Sequence, residues 1–139
     1  MKTELKKIAS FLAVAISADG AYEDYERETV ATIAEALGLD KDELDKAVDA
    51  AVAEVDPMDD EQLNQYLIEA AVDIDEDDTY PIFECALEIV LADLVVTREE
   101  VGNLLAMADA LGIDTEDAVL MLADMVNEED NVEILIEKK

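Results

Sequence analysis

The stretch ADGAYEDYERETVATIAEALGLDKDEL, residues 18–44, returns without a gap as ADLVVTREEVGNLLAMADALGIDTEDA at residues 92–118. The offset is 93 − 19 = 74 positions, so Asp19 falls on Asp93, Glu26 on Glu100, Gly38 on Gly112 and Asp40 on Asp114. Ala18, Ala34, Ala36 and Leu37 meet identical residues, while Val30, Ile33 and Leu39 meet Leu104, Met107 and Ile113. Such self-similarity is the signature of a duplicated unit, and a feature that occurs twice in register is harder to ascribe to chance.

Working outward, apolar residues recur at helical spacing along most of the chain. They predict helices over about 3–18, 24–37, 40–55, 60–72, 81–92, 98–111 and 115–127. Gly38 and Gly112 stand where a left-handed C-terminal cap is wanted, and Asp40 is placed to cap the helix that follows. Pro57 disfavours helical geometry at Asp56 and so breaks the third helix. The expected fold is an all-α bundle of seven helices in one domain, with repeat units at about 3–55 and 80–127 joined by a linker helix at about 60–72. The linker helix has no counterpart in the repeat. NVEILIEKK at the end reads equally as a short extended strand or a docked tail, and its alternation is too short to found a sheet on.

Composition narrows the function classes. A chain of 139 residues that is 52% hydrophobic can bury a core. Aromatics make up only 4%, which leaves Ala, Leu, Val and Ile to do the packing and suits closely approaching helices. Thirty-eight acidic against nine basic residues give a formal charge of −29. That field argues against nucleic acid and anionic membranes, which are recognised through Lys and Arg. It favours divalent cations or a protein partner with a basic surface, and it equally serves plain solubility in a salty medium. His is absent and Cys occurs once, so His-based acid/base chemistry, zinc-finger ligation and an intrachain disulfide are removed. Cys85 lies in an apolar helical stretch and reads as core.

Lys2, Lys6 and Lys7 followed by IASFLAVAIS resemble the charged and apolar regions of a secretory signal. The repeat points the other way, because Ile8, Leu12 and Ile16 land on Ile82, Ala86 and Val90, the apolar positions of a helix in the second copy. A cytoplasmic address, consistent with an unpaired cysteine, is expected, with no membrane insertion.

The repeated acids are the first candidate site. In each copy an Asp ends one helix (Asp19, Asp93) and a Glu lies in the first turn of the next (Glu26, Glu100). A helix-loop-helix corner can bring such carboxylates toward one point, and hard cations such as Ca²⁺ and Mg²⁺ take oxygen ligands gathered in that way. Helix capping explains half of this without a metal. Thr97 with Glu100 forms a capping-box pattern, and Glu23 with Glu26 a weaker one. It leaves Asp19 and Asp93, which oppose the helix dipole at a C-terminus. A weaker alternative lies between the copies, where Asp73, Asp75, Asp77 and Glu84 have the 1, 3, 5, 12 spacing of an EF-hand loop. Asp78 at the sixth place, where Gly makes the turn, and Tyr80 at the eighth depart from that pattern. The competing reading is an acidic linker in which Asp78 or Thr79 caps the next helix and Pro81 sits early in it.

ADG with its acidic turn, the Glu, the apolar helix and LGLD, followed by LADLVVTREE and ALGID, resembles the tellurite-resistance TerB-like family. The resemblance covers both copies and the helix between them. It implies an all-helical, stress-associated module whose acidic positions are proposed metal chelators, matching Asp19 and Glu26 in the first copy and Asp93 and Glu100 in the second. Leu94 stands where the family often has the glycine that Gly20 supplies, so the second turn is expected to differ in shape.

No catalytic residue is expected, since the chain lacks a glycine-rich phosphate loop and a nucleophile elbow, and Arg27 and Arg98 are its only arginines. The leading expectation is a non-enzymatic helical module that binds a divalent cation, Ca²⁺ or Mg²⁺, through the repeated carboxylates. The alternative is a polyanionic interaction protein or DNA mimic that occupies a basic partner surface. The sequence leaves the oligomeric state open.

Overall fold

The structure is a computed structural model that describes residues 4–17, 22–72, 74–91, 95–128 and 133–135, of which 95–97, 99, 126–128 and 133–135 are described by backbone alone. Among the described residues there are seven α-helices, in the order α1 (Leu5–Ser17), α2 (Asp24–Leu37), α3 (Lys41–Val55), α4 (Asp60–Ala71), α5 (Thr79–Leu91), α6 (Arg98–Ala110) and α7 (Thr115–Glu128). The all-α expectation holds, with each helix within about two residues of its expected bounds.

The centre of the molecule is α1, which is buried without interruption from Ile8 to Ile16. It packs against α3, α4, α5 and α6. Helix α5 is its neighbour in the core, burying Ile82, Phe83, Cys85, Ala86, Leu87, Ile89, Val90 and Leu91. The stretch Ile8–Ile16 of α1 is buried all round and belongs in an interior, α5 turns only a narrow stripe with Tyr80, Glu84 and Glu88 to solvent, and α2, α3, α4, α6 and α7 carry apolar residues on one face and form the sheath. Val30, Ile33 and Ala34 of α2, and Leu44, Val48 and Ala51 of α3, turn inward. The segment that resembles a signal sequence is therefore the innermost helix of the fold. Among the described residues no helix is long and apolar enough to cross a membrane.

The helix ends follow local chemistry. Gly38 and Gly112 both lie in the left-handed region, at φ 72° and 76°. Each closes its helix with the same pair of bonds, Leu39 N–H to Ala34 O and Ile113 N–H to Ala108 O at 2.8 Å, with Gly38 N–H to Glu35 O at 3.3 Å and Gly112 N–H to Asp109 O at 3.1 Å. These are the two bonds of a Schellman motif, repeated 108 − 34 = 74 residues apart. Asp40 caps α3 through its side chain, which accepts from the backbone of Asp42 at 2.9 Å and Glu43 at 3.0 Å. Asp59 and Gln62 form a capping box on α4. Helix α4 is tied to α1 where the Tyr66 hydroxyl donates to Ser10 Oγ at 3.1 Å.

Three details differ from the sequence expectation. Asp56 keeps helical dihedrals, φ −51° and ψ −45°, although Pro57 follows it. The steric preference at a pre-proline residue is a bias, and here the helix stops at Val55 because Pro57 has no N–H to continue the ladder. Helix α5 begins at Thr79, preceded by a 3-10 turn at Glu76–Asp78, with Pro81 inside the first helical turn, where a missing N–H costs nothing. The third difference is a small sheet. Val95–Thr97 (β1) and Glu133–Leu135 (β2) pair in parallel, with Val95 opposite Glu133, Val96 opposite Ile134 and Thr97 opposite Leu135. A segment within the C-terminal NVEILIEKK is thus strand, and its partner β1 was not expected. Parallel pairing needs a long crossover, which α6 and α7 provide.

The core assignment predicts that Leu12→Ala, at a site with no exposed surface, lowers unfolding free energy by about 2 to 5 kcal/mol. Ile68→Ala, on the exposed face of α4, should change it by less than about 0.5 kcal/mol. Urea denaturation followed by circular dichroism measures both.

Candidate functional site

Glu26 is the third residue of α2 and Glu100 the third residue of α6. Both are buried, at 0% and 1% exposure, in a chain whose other acids mostly face water. At the start of α2, Glu23 is extended and its backbone N–H donates to Glu26 Oε1 at 2.9 Å, so the expected cap is present in the first copy. In the second copy the Thr97 side chain lies outside the described residues.

Capping does not by itself require burial. On α4 the Asp59–Gln62 box makes the same reciprocal pair of bonds, at 3.0 and 2.8 Å, on the surface and with an uncharged partner. A carboxylate taken out of water loses several kcal/mol of solvation. The positive end of the helix dipole returns about 0.3 to 1 kcal/mol, and about 2 in favourable buried geometry. Donors or a cation must supply the rest. The two acids are therefore placed where an ionised carboxylate is costly to leave unsolvated.

The remaining candidates are placed as follows. Asp19, Asp93 and Asp73 lie outside the described residues. Among the described residues, no three or more Cys, Asp or Glu side chains gather closely enough to hold a metal ion. In the linker, Asp75 Oδ1 accepts from the Asp77 backbone at 2.9 Å and caps the 3-10 turn. Asp78, in that turn, is buried at 7% exposure. Glu84 lies further on, exposed on α5.

One polar cluster escaped the sequence reading. Arg27 on α2 bridges Asp45 and Asp49 on α3, at 3.0 and 3.2 Å. Its guanidinium lies 4.1 Å from the centre of the Tyr22 ring, and the Tyr22 hydroxyl donates to Asp45 at 2.8 Å. The cluster clasps α2 to α3 beside the residues that enter α2. The i, i+4 spacing of Asp45 and Asp49 marks one helix face, but the sequence does not say which cation meets it. At the positions 74 further on stand Val101, Val119 and Ala123, so the clasp belongs to the first copy alone. Arg27 is thus committed to the fold. Cys85 is buried, and burial, followed by the nearby Glu88 and Glu84, pushes its thiol up to about 12. It stays protonated and inert, as a core residue should.

Burial, and next the hydrogen bond to Asp45, raises the Tyr22 phenol above its ordinary value of 10.0. The folded state therefore favours the neutral phenol. That contribution is fully present below pH about 10 and is lost as pH rises through the folded-state value. Alkaline spectrophotometric titration should show a tyrosine that ionises only as the protein unfolds. Burial raises Tyr66 as well, so in Tyr22→Phe the late-ionising phenols should fall in number by one, and the fall in stability above pH about 10 should be shallower.

Glu26 and Glu100 are buried at equivalent first-turn positions of α2 and α6, and the seven-helix bundle around them is the all-helical fold that the family resemblance implies. The chain matches the family described as Tellurite resistance protein TerB over residues 5–123, from the start of α1 well into α7. No curated protein and no solved structure matches it. On the extent of the family match, the chain belongs to the tellurite-resistance TerB family.

Proposed function

We propose that this TerB-family chain is a non-catalytic, cytoplasmic stress-response module that binds a divalent cation through the acids its two three-helix units share. The ligands in this reading are Asp19 and Glu26 from the first unit and Asp93 and Glu100 from the second. The observation that carries it is the burial of Glu26 and Glu100, at 0% and 1% exposure. An exposed box on α4 shows that capping proceeds without such burial. The donor set fits the group, because carboxylate oxygens are the ligands Ca²⁺ and Mg²⁺ prefer and the chain has no His to favour a softer metal. A bound cation would neutralise acids that the helix dipole only partly compensates. In this reading Glu26, Glu100, Asp19 and Asp93 would supply the carboxylate ligands.

The net charge of −29 assists by concentrating cations around the molecule. It also means that weak, diffuse cation binding is expected of any such surface, so specificity has to be read from the variants. Isothermal titration of the chain with Ca²⁺, Mg²⁺ and Mn²⁺ in about 0.15 M salt, which screens the diffuse component, should show saturable binding. Asp19→Asn/Asp93→Asn should weaken it at least about tenfold, since the double variant removes two anionic ligands from a hard cation. Equal binding by wild type and variant, or no saturable binding at all, would remove these residues from a metal role.

A further inference from the structure

Helices α5 and α7 run beside one another, and between them lies a shallow groove of about 440 Å³. Tyr80 and Pro81 give it an apolar lining from α5, and Leu120 and Met121 from α7. Glu84, Asp117 and Asp124 add three carboxylates, and among the described residues no Lys or Arg lines it. Asp117, Leu120, Met121 and Asp124 fall at i, i+3, i+4 and i+7, which places them on one face of α7. Leu120 is 61% exposed and Tyr80 47%, values unusual for large apolar side chains when two of them meet in one concavity. The Tyr80 hydroxyl donates to Asp117 Oδ2 at 3.2 Å, a bond that links α5 to α7 at the groove.

We infer that this groove docks a short, basic, amphipathic helix of a partner protein. Apolar side chains one helical turn apart in the partner would sit on Tyr80, Leu120 and Met121, while its Lys or Arg side chains reach Glu84, Asp117 and Asp124. Charge selects this occupant. A second copy of the chain would bring another −29 into contact with the three carboxylates, and nucleic acid or an anionic lipid surface would be repelled in the same way. Geometry selects a helix over a strand, because the walls are two helices whose backbone groups are already bonded and which present only side chains. From Asp117 to Asp124 the face extends about 10 Å, so two to three helical turns of the partner fill it. Neither Glu26 nor Glu100 lines the groove, so the inference stands whether or not those two glutamates hold a cation.

The test uses the full chain in EDTA and a synthetic 18-residue helical peptide with Leu at i, i+3, i+4 and i+7 and Lys elsewhere. Its control is the same peptide with Glu in place of Lys. Fluorescence anisotropy gives affinity in about 0.15 M salt, and amide chemical shifts give the location. The lysine peptide should bind and the glutamate peptide should not, with shifts concentrated in residues 79–88 and 115–125. Leu120→Ser, at an exposed site that leaves the core untouched, should weaken binding about tenfold through lost apolar contact. Glu84→Gln/Asp117→Asn/Asp124→Asn should weaken it more than Glu35→Gln/Glu54→Gln/Glu61→Gln, which removes the same charge from outside the groove. If the two charge variants lose affinity equally and Leu120→Ser loses none, the attraction is diffuse and the docking site is refuted. Shifts that map elsewhere, no binding, or self-association through Leu120 would also overturn it.

Discussion

Everything in this bundle is arranged around the removal of α1 from water. Nine consecutive residues from Ile8 to Ile16 are buried, and each large apolar side chain among them contributes about 1.5 to 3 kcal/mol relative to exposure. A helix that buries its whole circumference needs neighbours on every side, and α3, α4, α5 and α6 supply them. Ala9, Ala13 and Ala15 on its surface keep those neighbours close without large aromatic side chains. With α1 and most of α5 holding the interior, the acids gather on the sheath helices, the turns and the exposed stripe of α5, where a charge of −29 can be solvated. Among the described residues the buried acids are Glu26, Glu100 and Asp78.

Much of the fold was legible because its punctuation is local. The left-handed Gly38 and Gly112, the capping Asp40 and the ring of Pro57 act within a few residues of themselves, so they end or begin helices whatever the rest of the molecule does. Helix α2 accordingly has the bounds its sequence implies, Asp24–Leu37. The repeat likewise showed that Ile8, Leu12 and Ile16 belong inside, and all three are fully buried. What escaped depends on partners far along the chain. A three-residue strand such as Val95–Thr97 has no readable periodicity, and it is a strand only because Glu133–Leu135 lies alongside.

The site was legible in position and not in environment. Spacing located Glu26 at the start of its helix and suggested the bond to Glu23, which is present. It could not reveal that the same carboxylate is shut away from water, since burial is decided by how α2 and α6 lie on the core. The Tyr22, Arg27, Asp45 and Asp49 clasp and the groove between α5 and α7 are hidden for the same reason: each joins residues whose proximity is created by helix packing. Asp42, exposed near the start of α3, and Glu26, buried near the start of α2, look alike in sequence and differ only in the surface their helices turn inward.

Glu26 and Glu100 are buried either for a cation, as proposed, or for the fold alone. Thermal unfolding of wild type and of Glu26→Gln/Glu100→Gln, each in EDTA and in millimolar Ca²⁺ or Mg²⁺, separates the two. Glutamine keeps the shape and an accepting oxygen for the cap while removing the buried charge. If the account holds, cation raises the Tm of wild type by mass action on the folded state. The glutamine variant should then melt at least as high as wild type in EDTA and ignore the cation. A wild-type Tm indifferent to cation, together with a glutamine variant that melts well below it in EDTA, would make the glutamates structural charges and contradict the account.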